Sequence, residues 1–241
     1  ETPPRGDVKV RPENQEFFHK LRGFIGICGT FNEVAHRANL DAVVHDDRFQ
    51  DIEPESLVQS FVCAADLENQ LDELYSRVPE VKRVLDDFGR RVVRDAADLD
   101  PDKLMVEQEG HNYYVYTAVP PKKRDTARTK IVNKYGGKAA KLVDVVRAAT
   151  VVEDGETLAK VLAYILDVCA EDDGDVRLVR LQNRIRKPLF NGYRDVSLNL
   201  AFQLVKDLWF VAEYQLHIRA IVEHKEEAHK HYEYFREYFS R

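Results

Sequence analysis

Apolar residues recur at helical spacing over residues 16–40: Phe17, Leu21, Phe24, Ile25, Cys28, Phe31 and Val34, with glycines interrupting the run. A second amphipathic stretch is expected to start near Glu55, where Pro54 and Glu55 favour a first helical turn. Its face is Leu57, Phe61, Ala64, Leu67, Leu71 and Leu74. Pro79 opens a third, with Val81, Val84, Leu85, Phe88, Val92 and Val93. Residues 96–121 are less regular and carry Pro101, Pro120 and Pro121, so they read as a connection.

Beyond Pro121 the pattern changes. Residues 122–146 read as a basic helical stretch broken at Gly136 and Gly137, and 147–152 as a short strand. Residues 156–169 form an amphipathic helix with Leu158, Val161, Leu162, Ile165 and Cys169 inward. A turn at 172–175 leads to a strand at 176–181. Two more strands follow, at 193–202 and 210–218, joined around Lys206 and Asp207. A final helix over 219–238 carries the stripe Ile218, Ile221, Ala228, Tyr232, Phe235 and Phe239. This order predicts an α+β fold: a small mixed β-sheet flanked by helices, preceded by an N-terminal helical region. The expected boundaries are a flexible lead-in at 1–14, a helical region at 15–121 and the α+β domain at 122–241.

The strands at 192–200 (GYRDVSLNL) and 210–218 (FVAEYQLHI) sort their side chains. Alternate residues of a strand point to opposite faces. The even positions are Val196, Leu198, Leu200, Phe202, Phe210, Ala212, Tyr214, Leu216 and Ile218, all core material. The odd positions are Tyr193, Asp195, Ser197, Asn199, Glu213, Gln215 and His217. A short connection makes the strands antiparallel neighbours, so these polar rows share one face. A solvated outer face is the plain alternative. The rows, however, lack the lysines and arginines usual on such a face. Asp195 and Glu213 supply the hard oxygen ligands that Mg²⁺ needs.

Composition adds limits. The 241 residues are 44% hydrophobic and 32% charged, which predicts a packed core. The net charge of −6 argues against a general nucleic-acid or anionic-membrane coat. No run of about 18 apolar residues predicts a membrane span. Cys28, Cys63 and Cys169 are far apart, which fits the cytoplasm or another reducing compartment and no zinc knuckle. Met105 is the only methionine, so the chain reads as an excerpt or processed product whose targeting is unknown.

The average charge hides a local excess. Residues 122–147 hold nine basic side chains against Asp125 and Asp144, a local +7 that leaves −13 for the rest. Arg124 and Arg128, like Lys130 and Lys134, are four apart and share a helix face. Such a face suits polyphosphate, though nucleic acid can use the same charge. A second basic run, Arg177, Arg180, Arg184, Arg186 and Lys187, precedes the strand that begins at Tyr193.

Arg128-Thr129-Lys130, Arg147 heading a strand, Asn191-Gly192-Tyr193 and Glu213-Tyr214-Gln215 occur in one order. This order resembles the RelA/SpoT-like nucleotidyltransferase domain of alarmone synthetases, in a divergent branch reading GYRDV, over about half the chain. The resemblance implies a nucleotidyltransferase-like sheet and Mg²⁺-dependent transfer of pyrophosphate from ATP to a hydroxyl of GDP, GTP or another nucleotide, with a tRNA end as a further acceptor. It implies that Arg128, Lys130 and Arg147 meet ATP phosphates; Lys134 and Lys138, in the same basic stretch, are further phosphate-binding candidates. It implies that Tyr193 stacks on the acceptor base; Asn199, Gln215 and His217, on the same face, are further acceptor-binding candidates. It implies that Glu213 binds Mg²⁺ or serves as base for the acceptor hydroxyl. Asp144 lies close to the family's metal-binding Asp, with Asp195 as its substitute, so the catalytic candidates are Glu213 and Asp195 and the metal candidates Asp144, Asp195 and Glu213. The chain departs from the family pattern. Asp195-Val196-Ser197-Leu198-Asn199 replaces the Ser-Leu-His that follows Gly-Tyr-x, Lys134 replaces a Ser, and His217 replaces an Arg. Two other readings therefore stand beside the enzyme: an inactive nucleotide- or RNA-binding module, and an effector domain that meets a partner protein through its N-terminal helices. His45-Asp46 reads as a surface turn, and His224, His229 and His231 as core or surface histidines rather than a metal site. Trp209 and the aromatic residues near Phe235 read as core.

Overall fold

The structure, a computed structural model, describes residues 12–98, 106–108, 111–113, 116–172 and 174–239. Most of the expected lead-in lies outside them, as do the side chains of Tyr232 and Phe239. Helices α1 (Pro12–Arg37), α2 (Asp41–Val44), α3 (Leu67–Ser76) and α4 (Val78–Ala96) come first. Strands β1 (Val106–Gln108) and β2 (His111–Tyr113) form a small hairpin, followed by β3 (Tyr116–Val119) and α5 (Arg124–Tyr135). Then come β4 (Arg147–Val152), α6 (Gly155–Cys169), β5 (Val176–Asn183), β6 (Val196–Val205) and β7 (Leu208–Ile218). Helices α7 (Arg219–Val222) and α8 (Lys225–Phe239) close the chain.

The main sheet has five strands in the order β3-β4-β7-β6-β5. Only β4 and β7 run parallel. The fold class is α+β with a mixed sheet, as the strand pattern implies. Alternation holds along β6 and β7: Val196, Leu198, Leu200, Phe202, Phe210, Ala212, Tyr214, Leu216 and Ile218 are all fully buried. Helices α4 and α6 pack on this even-numbered face. Phe88 of α4 meets Phe202 and Tyr214 edge-on, at ring distances of 5.5 and 5.7 Å. The Tyr214 hydroxyl, deep in this layer, is paired with Thr150 Oγ1 at 2.6 Å, as a buried hydroxyl requires.

Local signals set several element ends. Asp154 caps α6 by accepting from the Thr157 N–H at 2.8 Å. Gly136, at φ 59°, closes α5 in the left-handed conformation. Gly155 is required by a close approach: a Cβ there would lie 2.1 Å from the Asn39 carbonyl oxygen.

Three expectations are corrected. The second helix does not begin near Glu55. It begins at Leu67, where the Asp66 carboxylate accepts from the Asn69 N–H at 3.0 Å. Residues 51–60 instead form a strap across the sheet. Ile52 bridges Leu181 on the free edge of β5, which covers an otherwise open strand edge. At the strap's far end Gln59, fully buried, takes the place of a strand beside β7. Its amide accepts from the Val211 N–H at 2.9 Å and donates to the Val211 carbonyl at 2.7 Å. Second, the connection at 96–121 contains β3, an edge strand of the main sheet whose Tyr116 packs under Gly89. Third, the last helix is broken between Val222 and Lys225 into α7 and α8. His45 and Asp46 lie at the surface, where Asp46 caps a short turn.

Gln59→Leu is expected to lower stability by at least about 1–3 kcal/mol, because it strands the buried N–H and C=O of Val211. Urea unfolding followed by circular dichroism measures this, and an unchanged midpoint would contradict the strap's role.

Candidate active site

The odd-numbered face of the sheet carries the polar rows. Registry places Asn199 opposite Glu213 and Ser197 opposite Gln215. On the other side of β7, Arg147 is level with Glu213. Arg180 of β5 is opposite Asn199. A cation–amide–carboxylate–cation row thus crosses four strands. Glu213 Oε1 accepts from Ser197 Oγ at 3.2 Å and from Gln215 Nε2 at 3.4 Å. This is not an outer face washed by water. Ser197, Asn199 and His217 are buried, while Arg147, Glu213 and Gln215 are half-buried. At one end the strap and an apolar patch of Val143, Ala201 and Val211 cover the sheet, with Leu57 and Trp209 against it.

The opposite end is a charged cluster. Asp195 is only 1% exposed. Arg184 Nε lies 3.0 Å from Asp195 Oδ1, an ion pair off the hydrogen-bond direction, so both atoms keep unsatisfied bonding capacity. His217 Nδ1 is 3.9 Å from Asp195 Oδ2 and 3.2 Å from the Tyr193 hydroxyl. Burial pushes the Asp195 carboxyl up to about 6, against the pull of Arg184 and Lys225. Burial, with the charges of Lys225 and Arg184, holds His217 well below the usual imidazole range, so it is neutral. The Tyr193 ring is buried, with the Phe31 edge at 5.6 Å from α1 and Lys225 Nζ of α8 at 5.8 Å from its centre. Gly192, at φ 83°, turns the chain beneath α1. Helices α1 and α8 close this end together, through Phe24 against Phe235 at 5.0 Å and Lys20 over Tyr234 at 4.0 Å.

A five-stranded mixed sheet with one parallel pair, a charged row across it and helices α4 and α6 behind it invites comparison with solved structures. Small alarmone synthetase 2 from Bacillus subtilis superposes with a TM-score of 0.51, at 16% identity, over 69% of this chain and 81% of that one. The fold is that of the small alarmone synthetases. A GTP pyrophosphokinase family protein from Streptococcus pneumoniae (TM-score 0.47, 16% identity, 72% and 80% of the two chains) is also similar. So is B. subtilis small alarmone synthetase 1 bound to its product pppGpp (0.47, 17%, 69% and 80%). No protein-family model matches the chain, nor does any curated protein by sequence.

Within this alarmone-synthetase fold, the basic helix is α5. Lys130 Nζ is 2.6 Å and Lys122 Nζ 3.2 Å from Asp144 Oδ2. Burial raises the Asp144 carboxyl, but the hydrogen bond and charge of Lys130, with Lys122, outweigh it and hold the group low. Arg128 and Arg124 pair with Glu68 of α3, and Arg124 also with Asp72 at 2.6 Å. The acidic partners missing from the sequence neighbourhood are thus supplied in space by α3. These pairs are partly exposed, and such bridges are worth about 0–1 kcal/mol each. Arg128 is therefore releasable to a ligand at small cost. Lys134 and Lys138 are exposed. Among the described residues no group of three or more His, Cys, Asp or Glu gathers as a metal cage, and no helix is long and apolar enough to cross a membrane. Cys28, Cys63 and Cys169 are free.

Two residues at the site were not singled out from sequence. Arg184 was one of several arginines before β6. Lys225 sits in a helix whose pattern speaks only of an apolar stripe. No local signal marks either as facing Asp195.

The raised Asp195 value gives a pH dependence with a definite sign. Its folded value exceeds the ordinary one of 3.8, so the stability it contributes is complete below about pH 4 and lost as pH rises through about 6. Asn mimics the neutral acid. Relative to the parent, Asp195→Asn should gain about 1–2 kcal/mol between pH 5 and 7.5. Paired urea titrations at the two pH values measure it, and a gap that stays constant or narrows would contradict the burial cause.

Proposed function

We propose that the protein is an ATP-dependent pyrophosphotransferase that acts on a nucleotide hydroxyl. The observation that carries this reading is the row Arg147, Glu213 and Asn199 on a semi-enclosed sheet face of the alarmone-synthetase fold. Transfer of a phosphoryl-type group needs neutralised phosphate charge and an oriented hydroxyl, and little else from the protein.

Each need has residues to meet it. Arg147 Nε is buried without a hydrogen-bond partner, which suits a guanidinium that pairs with phosphate oxygens when the donor binds. Further cations come from α5 and the turn after it: Lys130 and Arg128, now paired with Asp144 and Glu68, and the exposed Lys134 and Lys138. Both hydrogen bonds to Glu213 arrive at Oε1. They orient the carboxylate, and Oε2 is left to receive a proton from the acceptor hydroxyl or to hold a metal. Ser197 and Gln215 are the groups that fix this orientation.

Mg²⁺ is the metal that the resemblance implies, and the oxygen donors suit it. Asp144 Oδ1 is buried and has no hydrogen-bond partner. Mg²⁺ is held by one or two carboxylates plus substrate phosphates, so Glu213 or Asp144 would be enough to hold it without a protein cage. Asp195 is the weaker candidate, being engaged by Arg184 and raised to about 6. When bound, the ion supplies charge neutralisation on the donor phosphates. The acceptor is GDP, GTP, another nucleotide or an RNA end, because several of the residues that depart from the family pattern, Ser197, Asn199 and His217, lie on the polar face itself.

One observation favours a second reading, a nucleotide- or RNA-binding module without turnover. The Tyr193 ring, which would stack on an acceptor base, is covered by Phe31 and hydrogen-bonded to His217.

The deciding experiment incubates the protein with γ-labelled ATP and Mg²⁺ and, separately, GDP, GTP, ATP, AMP and tRNA, then resolves the labelled products. Transfer to one acceptor is expected, with Glu213→Gln reducing turnover at least about 100-fold at an unchanged melting temperature. Turnover that survives Glu213→Gln would remove the carboxylate from the mechanism. Binding without label transfer would establish the second reading.

A further inference from the structure

Lys225 starts α8, immediately after the break that separates it from α7. Its ammonium is half-buried, and the charges that act on it are Asp195, Glu213, Arg184 and Arg147, drawn from the strands and the loop beneath. Among the described residues, no hydrogen bond or ion pair holds Nζ; its nearest aromatic neighbour is the Tyr193 ring, at 5.8 Å. A charge taken partly out of water without a partner is costly. Such an ammonium needs an anion to pair with.

The space beside it fits one. Lys225 and Arg184 line a cleft of about 220 Å³, with Asn191, Tyr193 and His229 as the other polar walls. That volume is below the 300–1,000 Å³ common for whole small-molecule sites. It admits a fragment such as a phosphate or pyrophosphate group. The cleft is lined by two cations, Arg184 and Lys225, and by no carboxylate. The carboxylates that act on Lys225 are Asp195, whose charge burial disfavours, and Glu213, against the like charges of Arg184 and Arg147. Arg184 Nε and Arg147 Nε are both buried without hydrogen-bond partners.

We propose that Lys225 is a substrate-binding residue, which with Arg184 grips a phosphate group of the nucleotide in this cleft. The assignment rests on the nucleotide-binding part of the function proposed above, and not on its transfer step. It makes α8 part of the site: the helix delivers a cation that the sheet itself lacks at that point. The clasp of Phe24 and Phe235 holds the helix where the ammonium can reach.

The test measures binding and stability together. Inorganic pyrophosphate, ATP, GDP and adenosine are titrated by calorimetry into the protein, Lys225→Met and Lys225→Arg. Lys225→Met is expected to weaken the phosphate-bearing ligands about tenfold or more, with adenosine unaffected and Lys225→Arg within a few-fold of the parent. A loss confined to ATP and GDP would place a nucleotide phosphate there, and a loss that includes pyrophosphate would show that the bare anion suffices. The melting temperature of Lys225→Met should hold or rise, because a half-buried unpaired charge is removed. Unchanged affinities with a lowered melting temperature would show Lys225 to be structural and overturn the proposal. If the parent binds these ligands but transfers no label, the transferase reading fails while the role of Lys225 stands.

Discussion

The parallel pairing of β4 with β7 is the constraint on which the site depends. It sets Arg147 level with Glu213, and the antiparallel pairing on the other side sets Asn199 level with the same carboxylate. Registry is not free to slip. A one-residue shift of β7 would turn Phe210, Ala212, Tyr214 and Leu216 out of the core and drive Glu213 into it. The packing of Phe88 against Phe202 and Tyr214 therefore does more than stabilise the domain. Apolar burial on one face fixes which side chains meet on the other, so the core specifies the polar row.

That row is useful only because its two ends are closed. The strap with Gln59 seals the end near Val211, and α1 and α8 seal the end near Tyr193. Between them the charged groups sit in a medium of reduced dielectric, where each interaction is stronger than in water. The consequences differ from residue to residue. Asp144, with two lysines at hand, is held as a carboxylate. Asp195 meets one guanidinium at a poor angle and is pushed toward neutrality. Two aspartates in one fold are thus set to opposite protonation tendencies by their partners, not by their depth alone.

The parts of this arrangement that sequence discloses are those written in local periodicity. Residues 196–200 and 212–218 alternate strictly, so their faces, and the company of Glu213, Ser197, Asn199 and Gln215, follow from the chain itself. The strap does not. Leu57 and Phe61 mimic a helix stripe, and only a contact 152 residues away, between Gln59 and Val211, reveals why that segment is extended. β3 is likewise short and runs straight into Pro120 and Pro121, and it is a strand because β4 offers it an edge. The pairing of Arg124 and Arg128 with Glu68 crosses 56 and 60 positions, so a charge count along the chain overstates the positive field that the helix presents.

The same logic of distance explains the site's cations. A basic run in sequence is a poor guide to where positive charge is available, because surface arginines find carboxylates wherever the fold brings them. Arg124 and Arg128 are partnered in this way. Arg147, Arg184 and Lys225 come from a strand, a loop and a helix far apart in the chain, and they converge where Asp195 and Glu213 do not fully balance them. A net charge of −6 and a local demand for anions are compatible for that reason. The acidic balance of the chain as a whole disfavours a long polyanion, while the local excess admits a small one. A ligand that satisfies both is compact and carries its negative charge at one end, which supports the nucleotide polyphosphate proposed for this site.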